Sequence, residues 1–235
     1  MKETFQRKEL KYLLDAPSLC RLREAVSRHL LPSEFGISQV NSLYLDTRER
    51  SVIARSVEKP LYKEKLRIRW YGSGSLATAS EAFVELKKKH KGIVYKRRLA
   101  VSPQNAVGFS RGSGLGGSQI AREIEAARQR MGDLLPSALV ICRRTSFGSD
   151  GEGELRITFD EGLRVLDLFD GGQTVYPLEP GQVVLEVKGA NAHPFWLVDA
   201  LSAERAYPVA FSKYGAFYER VAARHASAGK EAHRA

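Results

Sequence analysis

The chain has 235 residues, of which 43% are hydrophobic and 27% charged, a composition that excludes wholesale disorder and a membrane protein. Its 37 Lys and Arg residues outnumber 27 Asp and Glu residues, and the net charge of +10 predicts an anionic partner without saying which one. Two distant cysteines exclude a disulfide framework, and the amino terminus lacks the apolar run of a secretory signal, so we expect a cytoplasmic protein.

The first half of the chain alternates between strands and a helix. Residues 3–14 alternate in the manner of a strand, and Asp15 and Pro17 then precede apolar residues spaced for a capped helix that ends near residue 30. The same alternation predicts further strands at 37–46, 63–71, 81–89 and 92–101. The last two strands are close enough in sequence to form a hairpin.

The second half opens with a Gly/Ser-rich loop over 108–118. The predicted elements after it are a helix at 119–131, strands at 138–147, 153–160 and 182–188, less regular strand material near 163–176, and helices at 194–206 and 214–223. We predict a single domain over residues 1–223 and a disordered tail over 224–235. Short connections between seven or eight strands favour an α+β fold with an antiparallel sheet curled into a barrel.

Charged side chains recur at every second position of five predicted strands, and residues two apart in a strand share a face. In the strand at 63–71 the charged face carries Lys65, Arg67 and Arg69, and the intervening residues are apolar. The charged faces of the other four strands carry Arg7, Glu9 and Lys11; Glu85, Lys87 and Lys89; Glu154, Arg156, Thr158 and Asp160; and Glu186 and Lys188.

A solvated sheet face would also alternate in this way, but it usually mixes the two signs of charge more evenly. Five faces rich in Arg and Lys, together with helices that need apolar surfaces to cover, predict an eight-stranded antiparallel barrel with a charged lumen and helices packed outside. Cations crowded in such a lumen repel one another unless an anion neutralises them. The pattern therefore predicts a bound polyphosphate or nucleoside triphosphate, and the isolated carboxylates indicate a divalent cation.

Several short segments carry a resemblance to a known family. They are R-K-E-L-K-Y (7–12), S-L-Y-L-D-T (42–47), L-R-I-R-W-Y-G (66–72), V-E-L-K (84–87), R-R-T-S-F (143–147), L-R-I-T-F-D (155–160), L-E-V-K (185–188) and F-S-K-Y (211–214). In this order they resemble the VTC-type polyphosphate polymerase domain of the triphosphate tunnel metalloenzyme, or CYTH-like, superfamily. The resemblance implies an eight-stranded tunnel, Mn²⁺ or Mg²⁺ as cofactor, and ATP, polyphosphate or pyrophosphate as ligands.

The resemblance also implies roles for individual residues. It implies that Arg67, Arg69, Arg144, Arg156 and Lys213 are catalytic and that Glu186 and Glu9 bind the metal. Phosphate binding falls on Lys11, Arg55, Arg67, Arg69, Lys87, Lys96, Arg144, Arg156, Ser212 and Lys213. Spacing does not separate Lys96 from Arg97 as the residue that lines the tunnel. The opening strand reads Arg7-x-Glu9-x-Lys11 where the wider superfamily has E-x-E-x-K, which weakens the case for a second metal there.

The leading functional prediction is a polyphosphate polymerase that transfers the γ-phosphoryl group of ATP to a growing chain. The alternatives are a triphosphate or tripolyphosphate hydrolase in the same tunnel, and a non-catalytic polyphosphate-binding or nucleic-acid-binding module. We expect no nucleic-acid partner, because the sequence shows neither clear aromatic platforms among surface charges nor a groove-binding helix. Export of a product would need a separate membrane protein, through which the chain would lie at the inner membrane.

Overall fold

A computed structural model describes residues 8–91, 93–148, 155–189 and 192–232, so Arg7 and Glu154 lie outside the described residues. The strands are β1 (Lys8–Leu14), β2 (Pro32–Asp46), β3 (Tyr62–Tyr71), β4 (Ala82–His90), β5 (Ile93–Val101), β6 (Leu135–Gly148), β7 (Arg156–Asp167), β8 (Gln173–Val175) and β9 (Val183–Gly189). The α-helices are α1 (Ala16–Ser27), α2 (Ser51–Val57), α3 (Pro103–Ser110), α4 (Gln119–Met131), α5 (Phe195–Ala203) and α6 (Lys213–Ala232).

The strands form one sheet in the order β1-β9-β7-β6-β2-β3-β4-β5, and the short β8 pairs with β7. The pairs β1–β9, β7–β9, β2–β3, β3–β4 and β4–β5 are antiparallel. The structure therefore confirms the predicted α+β class and its antiparallel sheet of eight main strands. It also confirms the predicted β4–β5 hairpin, in which His90 lies opposite Ile93.

The chain divides into two compact units. The first unit contains residues 1–39, 142–163 and 178–211, and the second contains residues 40–141, 164–177 and 212–235. Strands β2, β6 and β7 each contribute residues to both units. The single domain over residues 1–223 stays a prediction.

In the first unit, helices α1 and α5 cover the apolar face of β1, β9 and β7. Helix α1 begins where the Asp15 carboxylate accepts a hydrogen bond from the Ser18 amide at 2.8 Å, which is the capping that the sequence predicted. The core formed there contains Leu19, Leu22 and Val26 of α1, Leu197 and Leu201 of α5, and Tyr12, Leu14, Ile157, Phe159, Leu185 and Val187 of the strands. The charged residues of these strands consequently occupy the opposite face.

In the second unit, helices α3 and α4 cover the apolar face of β3 and β4. Ser118 caps α4 by accepting a hydrogen bond from the Ala121 amide at 3.1 Å. The core contains Leu66, Ile68 and Trp70 of β3, Ala82, Val84 and Leu86 of β4, Ala106 and Phe109 of α3, and Ile124 and Ala127 of α4. Helices thus cover the apolar faces of the strands in this unit too, as predicted.

Three helices differ most from the prediction. Helix α2 was not predicted, because the carboxylate that accepts hydrogen bonds from its Val52 and Ile53 amides belongs to Asp46 on β2, so no local cap marks its start. Helix α3 was also missed, although Ser102 followed by Pro103 is a start signal. Helix α6 continues to Ala232, so the tail predicted to be disordered from Arg224 is helical to that residue, in keeping with its high alanine content.

None of the helices within the described residues is both long enough and apolar enough to cross a membrane.

Candidate functional site

The second unit carries a strongly basic sheet face on β3, β4 and β5, which we call the basic face. Cross-strand pairing places Lys65, Lys87 and Lys96 in one row, and Arg67, Glu85 and Arg98 in the next. Among the described residues of these three strands, Glu85 is the one carboxylate on this face. The eight cations of the face are Lys63, Lys65, Arg67, Arg69, Lys87, Lys89, Lys96 and Arg98.

Glu85 lies at the centre of the basic face and is 1% exposed. Its Oε2 accepts a hydrogen bond from Arg67 Nε at 2.7 Å, and it lies 2.6 Å from Arg67 Nη2 and 3.9 Å from Arg69 Nε. Its Oε1 lies 2.6 Å from Lys96 Nζ and 3.5 Å from Arg98 Nε. Burial raises the pKa of Glu85, but Arg67, Arg69 and Lys96 outweigh burial and hold the pKa well below its ordinary value. Glu85 is therefore ionised and holds the surrounding cations in place.

The structure separates Lys96 from Arg97, which spacing alone did not. Lys96 lies on the basic face, where its ammonium contacts Glu85. Arg97 lies on the opposite face, where its Nε donates to Oε2 of Glu123 on α4 at 2.6 Å. Lys96 is thus the residue of the pair that shares a face with the candidates Arg67, Arg69 and Lys87.

Two residues of β2 that the sequence analysis did not select hold the arginines of β3. Arg67 donates from Nη1 to the Tyr44 hydroxyl at 3.1 Å, and Arg69 donates from Nε to Ser42 Oγ at 3.1 Å. Burial raises the pKa of Tyr44, but Arg67, Lys65 and Arg69 outweigh burial and lower this pKa to about 8. The signal was present in the sequence, because Ser42 and Tyr44 are two apart and share one face of the strand.

The titration of Lys96 is also shifted. Burial lowers the pKa of Lys96, the Glu85 carboxylate opposes that change, and Arg67 and Arg69 lower the pKa further, to about 8. The basic face therefore contains an ammonium and, at its edge, a phenol that both change charge near the upper end of the physiological pH range.

The other three predicted residues of the second unit lie outside the sheet. Arg55 is exposed on the last turn of α2. The Ser212 hydroxyl accepts a hydrogen bond from the Gly215 amide at 3.2 Å and another from Lys65 Nζ at 3.2 Å, so Ser212 joins the start of α6 to the basic face. Lys213 is the first residue of α6 and is half-buried.

The first unit carries a charged face of a different composition on β1, β9, β7 and β6, which we call the mixed face. Its rows across β1, β9 and β7 are Lys11, Glu186 and Thr158, and next to them Glu9, Lys188 and Arg156. Lys11 Nζ donates to the Phe211 carbonyl at 2.9 Å and lies 3.4 Å from Glu9 and 3.9 Å from Glu186. Lys188 Nζ lies 3.9 Å from Glu9 and 3.4 Å from Glu186.

Arg144 of β6 forms the tightest contact of the mixed face. Its Nε and Nη2 each donate to one oxygen of Asp160 at 2.6 Å, and Nη2 lies 3.4 Å from Glu186. Burial lowers the pKa of Arg144, but Asp160 and Glu186 outweigh burial and raise the pKa well above its ordinary value. Asp160 is 0% exposed, and the sequence placed it on this face without predicting its partner.

The predicted metal ligands are oxygen donors of the kind that Mg²⁺ and Mn²⁺ prefer. Glu186 and Glu9 contact the same two lysines, and the buried Thr158 hydroxyl, opposite Glu186 in register, has no hydrogen-bond partner within the described part of the chain. Within that part, no group of three or more His, Cys, Asp or Glu side chains is arranged to hold a metal ion. The donors therefore fit a cation that takes one or two carboxylates and completes its shell with phosphate oxygens and water.

Comparisons with known proteins agree with this geometry. The profile of the VTC domain family matches residues 6–222. No curated protein sequence matches the chain significantly.

Two solved structures show the same fold. One is a candidate adenylyl cyclase from Hippeastrum, described as having a dominant triphosphatase activity, with a TM-score of 0.54 and 16% identity over 90% of this chain and 94% of that chain. The other is a candidate adenylate cyclase from Bacillus halodurans, with a TM-score of 0.55 and 14% identity over 88% of this chain and 95% of that chain. The family match over residues 6–222 establishes that the chain belongs to the VTC domain family.

Proposed function

We propose that the chain is a polyphosphate polymerase that transfers the γ-phosphoryl group of ATP to a growing polyphosphate chain. The observation that carries this proposal is the basic face, where eight cations accompany a single described carboxylate. Such an excess of positive charge favours a ligand with several closely spaced negative charges. Membership of the VTC domain family supports the same substrate class.

Phosphoryl transfer depends on positioning and on neutralising charge, and these are what the basic face supplies. A terminal oxygen of the polyphosphate chain would attack the γ-phosphorus, the bond from that phosphorus to the bridging oxygen of ADP would break, and ADP would leave. A guanidinium has five N–H donors. Hydrogen bonds from Arg67 Nε to Glu85 and from Nη1 to Tyr44, with Nη2 2.6 Å from Glu85, fix the plane of the guanidinium and leave further N–H donors for phosphate oxygens.

In the first unit we propose that Glu186 and Glu9 hold Mn²⁺ or Mg²⁺, and that Lys11, Arg144 and Arg156 contact phosphate oxygens. When bound, the metal would stabilise negative charge on the phosphate oxygens that these residues contact. The carboxylates are surrounded by lysines at 3.4–3.9 Å, so a metal alone competes with those cations. Phosphates that attract Lys11 and Lys188 would free the carboxylate oxygens, and we therefore expect metal and phosphate to bind with positive cooperativity.

The decisive experiment is incubation of the purified protein with ATP and Mn²⁺, followed by separation of the products on a gel. We expect a ladder of lengthening polyphosphate and an equivalent release of ADP. Arg69→Ala, on the basic face, should reduce synthesis strongly. Arg97→Ala is the matched control, because Arg97 lies on the other face of the sheet, and it should leave synthesis unchanged. Release of ADP with phosphate alone, and no chain growth, would reject the polymerase.

A second candidate is a tripolyphosphate or triphosphate hydrolase, in which water replaces the polyphosphate chain as the acceptor. The similarly folded Hippeastrum protein, described as having a dominant triphosphatase activity, favours this candidate. The same assay separates the two, because a hydrolase would release phosphate from ATP or tripolyphosphate and would shorten added polyphosphate.

We also propose that nucleic acid is not the partner. A single strand needs a series of aromatic platforms for successive bases, whereas Tyr44 and Tyr214 stack on each other in the interior of the second unit, with ring centroids 4.3 Å apart. Competition between polyphosphate and DNA over a range of salt concentrations tests this proposal. Polyphosphate should win at moderate salt, and a steep salt dependence with no preference for polyphosphate would favour a nucleic-acid-binding module.

A further inference from the structure

An arginine stacked on an aromatic ring lies at one end of the basic face. The Arg98 guanidinium carbon lies 3.5 Å from the centroid of the Phe83 ring, so the two planes are in contact. Tyr71 meets Phe83 edge-on, with ring centroids 6.1 Å apart and planes at 71°. We call Arg98, Phe83 and Tyr71 the stacking platform.

Two of the five N–H donors of Arg98 are directed at neighbouring side chains. Its Nε lies 3.5 Å from Glu85 Oε1, and its Nη2 donates to the Tyr71 hydroxyl at 3.3 Å. One flat face of the guanidinium covers Phe83, and the side chain nevertheless remains 37% exposed. The guanidinium is thus a flat cationic group that is partly exposed and is held in orientation by Phe83, Glu85 and Tyr71.

The position of the platform relates it to the proposed phosphate-binding residues. Arg98 is opposite Glu85, and Phe83 is opposite Arg69, so both share a face and adjoining rows with the cations that Glu85 holds. Rows on one strand face are two residues, or about 6.6 Å, apart. A triphosphate bound by Arg67, Arg69 and Lys96 would therefore have the stacking platform directly beside it.

We propose that the stacking platform binds the nucleobase of a nucleoside triphosphate, with the base lying on the free face of Arg98. This inference rests on the proposed function, because it names the part of the substrate that lies beyond the phosphates. Planar guanidinium groups and aromatic rings stack on any base, and the platform adds no pattern of donors that selects one. The site should therefore accept all bases and prefer purines, which offer more stacking area.

The test compares two triphosphate monoesters, ATP and methyl triphosphate, which carry the same phosphates but differ in the presence of a nucleoside. Dissociation constants are measured in EDTA, so that no turnover occurs. We expect wild-type protein to bind ATP about tenfold more tightly, which is within the range of base stacking on one side chain. Arg98→Lys keeps the charge and removes the planar group, and it should abolish this preference while affinity for methyl triphosphate stays close to wild type.

Two further variants serve as a second test and as a control. Phe83→Leu keeps an apolar side chain but removes the ring that supports Arg98, and it should also lose the preference for ATP. Arg97→Lys, one residue away on the opposite face, should keep it. Equal binding of ATP and methyl triphosphate by wild-type protein, or an equal loss of both ligands in Arg98→Lys, would overturn the nucleobase site and leave the triphosphate site standing. No binding of either ligand would overturn the proposed function together with this inference.

Discussion

The basic face and the mixed face use the same kinds of side chain in different proportions. On the basic face, four cations lie within 3.9 Å of the Glu85 carboxylate. On the mixed face, Lys11, Arg144 and Lys188 contact three carboxylates, those of Glu9, Asp160 and Glu186. The mixed face therefore comes close to neutralising itself, whereas the basic face keeps an excess of positive charge.

Because of this difference, we expect charge removal on the two faces to affect different properties, folding stability on one and anion affinity on the other. A buried ion pair that loses one partner leaves the other charge in a medium of low dielectric, which strongly destabilises the fold. A cation removed from a crowded group of cations instead relieves repulsion. Removal of a paired charge such as Arg144 from the mixed face should consequently affect folding, whereas charge removal on the basic face should affect mainly anion affinity.

The largest effect is expected at the Arg144–Asp160 pair. Arg144→Met keeps much of the volume but leaves Asp160 buried without its bidentate partner, and we expect a loss of about 3–5 kcal/mol in the free energy of unfolding. Urea denaturation monitored by circular dichroism measures this change. The double variant Arg144→Met with Asp160→Asn should recover part of the loss, and an unchanged stability of the single variant would contradict a structural role for the pair.

The next effect concerns the metal ligand on the mixed face. Glu186→Gln keeps the shape and removes the charge, so metal-dependent turnover should fall by about 100-fold or more, because stabilisation of the transition state by a bound cation is worth several kcal/mol. Affinity for tripolyphosphate in EDTA should persist or increase, since a negative charge has been removed. Glu9→Gln is the companion variant. Near-normal synthesis by Glu186→Gln would indicate that Glu9, rather than Glu186, is the principal metal ligand.

A smaller effect is expected on the basic face. Arg69→Ala should weaken tripolyphosphate binding by roughly tenfold or more, since a hydrogen bond to a charged group contributes ~1.5–3 kcal/mol. The melting temperature of the ligand-free protein should stay level or rise, in contrast to Arg144→Met. Arg67→Ala should behave in the same way, because Lys96 still contacts Glu85 after its removal. Unfolding of either variant without ligand would show that the basic face is structural.

The smallest effect concerns pH. Because the pKa values of Lys96 and Tyr44 are lowered to about 8, both groups lose a proton as the pH rises from 7 to 9 and the basic face loses positive charge. Tripolyphosphate affinity should fall by a few-fold over this range. The free energy of unfolding should rise over the same range, since the unfolded chain binds more protons than the folded chain above pH 8. The double variant Lys96→Arg with Tyr44→Phe cannot titrate there, and its affinity should depend less on pH.

Much of the architecture was predictable because it depends on local periodicity. The alternation of β3 and β4 correctly placed Leu66, Ile68 and Val84 on the face that helices cover, since side chains alternate in any strand regardless of what it pairs with. The capped start of α1 at Asp15 depended on a hydrogen bond within one turn, which the sequence shows directly. The order of short segments likewise predicted the family, which the match over residues 6–222 confirms.

The tertiary structure alone decided which charges meet. The sequence around Asp46 does not indicate that its carboxylate accepts hydrogen bonds from the Ile53 amide and from the Tyr214 hydroxyl. Tyr214 lies 168 residues away and is brought to Asp46 by chain folding. For the same reason strand parity placed Glu85, Asp160 and Glu186 on charged faces but could not predict their partners, which depend on the register between strands. The sequence by itself determined which faces are charged. Register and packing decided that Glu85 is surrounded by cations, that Asp160 is paired with Arg144, and that Lys96 rather than Arg97 contacts Glu85.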